Sequence, residues 1–121
     1  MKRILIVEDQ ADIRELIAMT LELDAYEIHQ APEGTEGLAM ARALRPDLVL
    51  LDVMMPGSLD GIEVCRQLKA DANTAAIKVI ILSAKGQDQD RLQGKRAGAD
   101  DYLTKPFSPG QLLEVVHRQL T

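Results

Sequence analysis

Four short apolar runs punctuate the chain: Ile4-Leu5-Ile6-Val7, Leu48-Val49-Leu50-Leu51, Val79-Ile80-Ile81-Leu82 and the weaker Tyr102-Leu103. The first three do not alternate with polar residues, as expected of strands covered on both faces. Tyr26-Glu27-Ile28-His29-Gln30 does alternate, which predicts a strand nearer a sheet edge. Helical spacing fills the intervals. Ile13, Leu16, Ile17 and Leu21 fall at the i, i+3, i+4, i+8 positions of one helix face. Thr35 to Leu44 predicts a second helix, stopped by Arg45-Pro46. Gly61 to Lys69 predicts a third, with Ile62, Cys65 and Leu68 on one side. Asp88 to Ala97 predicts a weak fourth whose one large apolar residue is Leu92. Such a helix has little to hold it to a sheet and is a candidate for movement. The last helix carries the clearest signals. Ser108 can cap it, Pro109 suits its first position, Gln111 completes a capping box, and Phe107 and Leu112 are spaced for a hydrophobic staple.

Strand and helix therefore alternate five times. That order predicts an α/β fold, a five-stranded parallel sheet with helices on both faces. Right-handed crossovers favour the strand order 2-1-3-4-5, the flavodoxin-like doubly wound arrangement. A length of 121 residues suits one domain over 1–121, with no internal repeat, low-complexity segment or linker. A net charge of −5 without a run of Lys or Arg argues against direct binding of nucleic acid. The single cysteine, Cys65, cannot form an internal disulfide and reads as packing on the third helix. That agrees with a reducing, cytoplasmic compartment. The first apolar run is too short for a signal peptide or a membrane span. His29 and His117 lie far apart with no Cys or acidic ligand spacing, so no transition-metal site is expected.

The polar residues at the strand ends change the picture. The first predicted strand ends in Glu8-Asp9, the third in Asp52, the fourth in Ser83 and the fifth in Thr104-Lys105-Pro106. In an open α/β sheet the carboxyl ends of the strands share one edge, where ligands bind. Three carboxylates, a hydroxyl and an amine should converge there. Taken singly, each has a bland explanation: Asp52 as a helix cap or turn former, Ser83 as a small residue at a strand end, Lys105 as a solvated lysine. Four strands ending in such residues by accident is the weaker account. Two carboxylates about 4 Å apart repel by roughly 4 kcal/mol at an effective dielectric near 20. Lys105 offsets part of that, and a divalent cation would offset the rest. An oxygen-rich site with room for phosphate suits Mg²⁺ (or Mn²⁺).

Glu8-Asp9, Asp52-Val53-Met54-Met55-Pro56-Gly57, Ser83-Ala84 and Lys105-Pro106-Phe107 resemble, over nearly the whole chain, the receiver domains of bacterial two-component response regulators. The resemblance implies a phosphorylation-dependent switch rather than an enzyme acting on other substrates. Asp52 would be the phosphoacceptor, with a sensor histidine kinase or phosphotransfer protein as donor. Asp9 would bind the metal directly, Glu8 mostly through water, and the carbonyl of Met54 would be a further ligand. Ser83 would hydrogen-bond the phosphoryl group, Lys105 would pair with it, and the Lys105-Pro106 peptide would be cis. Tyr102 matches the aromatic switch position on the fifth strand. Met54 and Lys85, at the positions that tune decay of the signal, imply slow self-dephosphorylation.

Two features depart from the pattern. Gly57-Ser58-Leu59-Asp60-Gly61 is one residue longer than the usual turn, which leaves the start of the third helix open. The segment from Asp90-Arg91 to Phe107 resembles regulators with winged-helix DNA-binding effectors, many of which dimerise through the last two helices. Gln111 and Val115 stand where the acid and base of that interface are expected. A monomer or a phosphorylation-linked dimer both remain open, as do the effector and its output. A flavodoxin would need a phosphate loop where Glu8-Asp9-Gln10-Ala11 stands, and that acidic stretch would repel phosphate. A dehalogenase-type phosphatase needs Asp-x-Asp, and Asp52-Val53-Met54 lacks the second. A phosphorylation-independent adaptor is the more serious rival, but such proteins usually lose part of the acidic pocket.

Overall fold

The computed structural model describes residues 1–55, 59–84 and 88–121. Five strands alternate with five helices: β1 Arg3–Val7, α1 Ala11–Glu22, β2 Glu27–Ala31, α2 Gly34–Leu44, β3 Leu48–Asp52, α3 Gly61–Ala70, β4 Lys78–Ala84, α4 Asp88–Arg96, β5 Asp101–Lys105 and α5 Pro109–Leu120. All four strand pairings are parallel, in the order β2-β1-β3-β4-β5. The α/β reading and the strand order expected from the sequence hold.

The unbroken apolar runs follow from two cores, one on each side of the sheet. Ile4 and Ile6 of β1, Leu48 and Leu50 of β3, and Ile80 and Leu82 of β4 face α1 and α5, where Ile17, Leu21, Leu112 and Val116 meet them. The intervening Leu5, Val7, Val49, Leu51, Val79 and Ile81 face the other way, onto Leu38 of α2 and Ile62, Cys65 and Leu68 of α3. Side chains alternate along a strand, so both parities must be apolar when both faces are covered. β2 lies at the edge, and its first residues are only partly buried.

Helix ends obey their local signals. Ser108 accepts from the Gln111 backbone N–H and the Gln111 side chain returns to the Ser108 N–H, completing the expected capping box. Arg45 ends α2 in a left-handed turn (φ 47°), with its N–H on the Ala41 carbonyl. α3 begins at Gly61, and Asp60 caps it by accepting from the Glu63 N–H at 2.9 Å. Gly57 and Ser58 of the lengthened turn lie outside the described residues.

Two expectations need correction, and a third holds. Leu16, placed on the buried face of α1 by its spacing, is 56% exposed, and Ile17, Ala18 and Leu21 carry that helix's burial. Leu92, the one large apolar residue of α4, is 44% exposed, in keeping with the weak hold that the sequence predicts for this helix. The helix instead rests on Gly94, its one buried residue, where a Cβ would stand 3.2 Å from Ile81 Cγ1. Lastly, β4 continues through Ser83 to Ala84 rather than ending at Ser83.

Candidate functional site

The carboxyl ends of β1, β3, β4 and β5 bring together the residues that the sequence marks. Glu8 follows β1 directly and is fully buried; its N–H donates to the Ala31 carbonyl at 3.1 Å. Lys105, the last residue of β5, donates to Glu8 Oε1 at 2.6 Å, and the Gln10 N–H donates to Oε2 at 3.2 Å. Arg14 of α1 backs the turn by donating to the Glu8 carbonyl at 2.7 Å. Asp52 ends β3 and is buried, with Lys105 Nζ 3.3 Å from its Oδ1. Glu8, Asp9 and Asp52 can each offer a carboxylate oxygen such that the oxygens lie within 4.8 Å of one another.

The backbone behind Asp52 is packed tightly. A Cβ at Gly61 would stand 2.1 Å from the Asp52 carbonyl oxygen, so only glycine lets α3 start against β3 here. The Val53 N–H donates to the Leu82 carbonyl at 3.2 Å, tying the chain beyond Asp52 to β4. Asp52 pairs in register with Leu82, which sets Ser83 one residue further along the neighbouring strand. The Lys105-Pro106 peptide is cis, as the resemblance implies. Met54 leaves β3 with its side chain exposed.

The electrostatics are unbalanced. Burial, and then the charge of Glu8, raise the Asp52 carboxyl to about 7 from an ordinary 3.8, against the pull of Lys105. Burial on its own would lower the Lys105 ammonium, but the Glu8 hydrogen bond and the Asp52 charge outweigh it and raise the group above its ordinary value. Among the described residues, three acids thus face one lysine. Ser83 adds a second imbalance. It is 2% exposed, and its hydroxyl oxygen has no hydrogen-bond partner among the described residues. A buried polar group left unsatisfied costs about 1–3 kcal/mol. A set of oxygen donors with surplus negative charge fits a hard divalent cation, and an orphaned hydroxyl at the same edge fits an incoming acceptor oxygen.

Tyr102 is turned toward the surface. It is 39% exposed, the Arg91 guanidinium carbon lies 3.9 Å from its ring centroid, and its hydroxyl accepts a hydrogen bond from Arg91. The sequence reading missed this role of Arg91, because a base on a helix and an aromatic on a strand carry no joint signal. It also missed the complete burial of Glu8, which no residue type announces. Lys85 lies outside the described residues. Cys65 meets its expectation: it is buried against the Ala97 carbonyl, and burial pushes its thiol up to about 11.

The response regulator receiver domain family matches residues 4–117. The chain is 47% identical over 120 residues to the DNA-binding dual master transcriptional regulator RpaA of a Synechocystis species, covering 99% of this chain and 49% of that protein. It is 46% identical over 121 residues to protein PilH of Pseudomonas aeruginosa, covering 99% and 98% respectively. The chain thus spans about half the length of RpaA and nearly all of PilH. A solved structure of a putative response regulator from Chloroflexus aurantiacus superposes with a TM-score of 0.94 at 33% identity, covering 98% of this chain and 97% of that one. The chemotaxis response regulator CheY4 of Vibrio cholerae gives 0.91 at 31% identity, with 98% of each chain covered. With the strand order, the acidic edge and the lysine all in place, this chain belongs to the receiver domains of response regulators, the phosphorylation-dependent switches of two-component signalling.

Proposed function

We propose that Asp52 is the phosphoacceptor and that Glu8, Asp9, Ser83, Lys105 and the Met54 carbonyl complete its site. The observation that carries this reading is the pairing of a buried Asp52, whose carboxyl is raised, with a buried Ser83 hydroxyl that has no partner among the described residues. Both costs are relieved by one event at this edge.

Glu8, Asp9, Asp52 and the Met54 carbonyl would hold Mg²⁺ (or Mn²⁺), which when bound supplies positive charge opposite the transferring phosphoryl group. The chain's own residues do the rest. The Asp52 carboxylate oxygen attacks phosphorus in line as the bond from phosphorus to the donor's leaving atom breaks. Lys105, held at the acids by its bond to Glu8, needs little movement to pair with the phosphoryl oxygens. The Ser83 hydroxyl donates to one of those oxygens. The product is an acyl phosphate on Asp52. Water later attacks its phosphorus, releasing inorganic phosphate and restoring the carboxylate. Met54 offers no group to position that water, which supports slow self-dephosphorylation.

The donor is a sensor histidine kinase or a phosphotransfer protein. The Ser83 hydrogen bond to a charged oxygen, worth about 1.5–3 kcal/mol, biases a two-state equilibrium. Tyr102 turns inward beside Ser83, and the face made by α4, β5 and α5 changes for an effector. The adaptor reading finds less support, because every member of the pocket is retained.

Intact-mass spectrometry after incubation with Mg²⁺ and acetyl phosphate tests this. One added phosphate on the wild type, absent from Asp52→Asn and from samples with EDTA, is expected. No phosphate on a folded wild type, with turnover excluded by phosphate release, would favour the adaptor.

A further inference from the structure

α4 is held to the sheet by little. Its one buried residue is Gly94, and Leu92 faces solvent. A groove of about 700 Å³ separates it from β5, lined among others by Ile81, Leu92, Gly94, Ala99 and Tyr102. Across that groove runs one side-chain hydrogen bond among the described residues, from Arg91 to the Tyr102 hydroxyl. The same guanidinium lies over the Tyr102 ring, 3.9 Å from its centroid. Two interactions with different geometric demands thus fix one side chain. The cation–π contact holds the plane of the ring, and the hydrogen bond holds its tip.

We propose that Arg91 is a latch that holds Tyr102 outward and so sets the threshold at which the switch turns. This inference rests on the reading that Tyr102 moves toward Ser83 when Asp52 is phosphorylated. Ser83 stands beside the route of that movement: Tyr102 pairs with Ile81 on β4, two residues before Ser83, and the Ser83 hydroxyl has no partner among the described residues. Inward rotation of Tyr102 must break both Arg91 contacts, which are absent from the inward state. They therefore weight the equilibrium toward the outward state only, the condition for shifting a population. An exposed cation–π contact and a hydrogen bond of ordinary net strength together correspond to about five- to seventyfold in that ratio. The latch also ties the ring to α4. Release of Tyr102 and loosening of that helix become a single event. Arg91 is a positioning residue: it touches neither Asp52 nor the acids.

Tyrosine NMR can read the latch directly, because the chain has two tyrosines and no tryptophan. The protein is labelled with carbon-13 tyrosine in a Tyr26→Phe background, leaving Tyr102 alone visible. Spectra are taken with and without fluoroberyllate and Mg²⁺ as a phosphoryl mimic, for Arg91, Arg91→Ala and Arg91→Lys. Arg91 is exposed, so both variants should fold. The mimic should move the Tyr102 resonance in the parent. Arg91→Ala without the mimic should stand part of the way toward that position, and its affinity for the mimic should rise by up to about five- to seventyfold by linkage. Arg91→Lys keeps the charge but not the planar guanidinium, and should fall between. If the parent moves but Arg91→Ala coincides with it in both resonance and affinity, the latch is wrong and the switch stands. Affinity that changes while the ring stays in its parental position also overturns the latch, since the effect then bypasses Tyr102. A parent whose Tyr102 ignores the bound mimic overturns the switch reading itself and the latch with it.

Discussion

Asp52 and Ser83 are each less stable in place than they would be in water or with a partner. For Asp52 the sign follows from its pKa. The folded carboxyl sits at about 7 and the ordinary value is 3.8, so between these limits the folded state holds a proton that the unfolded state has lost. Its contribution to stability is therefore greatest below about pH 4 and is lost as pH rises through about 7. Each unit of that displacement corresponds to about 1.4 kcal/mol. Without metal, the wild type should lose stability relative to Asp52→Asn as pH rises from 6 to 8. Added Mg²⁺ should flatten the loss. Thermal melts of both proteins in EDTA and in Mg²⁺ check this; a difference independent of pH in EDTA would contradict the account of Asp52. Ser83→Ala addresses the other imbalance. Deleting an unpartnered hydroxyl should leave the unphosphorylated protein as stable or up to about 1 kcal/mol more so. The response of Tyr102 to the phosphoryl mimic should nonetheless fall away. Denaturant melts and the tyrosine spectrum together separate the two effects. The sequence made these residues legible as a set because strand ends share an edge. It could not show that Ser83 lacks a partner among the described residues, since that depends on how the neighbouring strands and side chains pack.

Elements rather than single residues decide where the site's atoms stand. Asp52 is fixed from behind by the start of α3, where Gly61 leaves no room for a Cβ. Gly61→Ala must move either the helix or the Asp52 carbonyl. Overpacking of this kind typically costs about 1–3 kcal/mol, and the displaced strand end should also impair phosphate loading. Loading that falls even where melts show the protein fully folded is the expected outcome; unimpaired loading would mean that α3 absorbs the strain alone. The element boundaries themselves were mostly legible. Both parities of β1, β3 and β4 are apolar because both faces are covered, and Ser108 and Gln111 cap α5 as their spacing predicts. Helical spacing alone misplaced Leu16, because an α1 that packs through Ile17, Ala18 and Leu21 leaves the flank of its apolar stripe in solvent. The weak hold expected of α4 is borne out, and the contact it does make is through Gly94, a residue that apolar periodicity does not count.

At the scale of the molecule the two cores are unequal partners of the sheet. α1 and α5 close one face with Ile17, Leu21, Leu112, Val115 and Val116. On the other, α2 and α3 supply Leu38, Ala41, Ile62, Val64, Cys65 and Leu68, and α4 adds little beyond Gly94 and the following Ala97. Burial of large apolar side chains provides most of the resistance to opening, at about 1.5–3 kcal/mol for each one fully buried. α4 should then open well below the free energy of global unfolding, while β1 and β3 open only with the whole domain. Amide hydrogen exchange is expected to show α4 amides exchanging first among the helices. Fluoroberyllate with Mg²⁺ should change α4 and β5 more than α1 and α2. Slow, unaltered exchange in α4 would mean that the groove beside Tyr102 is rigid and that the output must travel by another element. A fold that spends its apolar residues on β1, β3 and their flanking helices leaves one helix loosely seated beside the phosphorylation edge. On the proposed reading, that unevenness would let a small change at Asp52 reach a surface without loosening the rest.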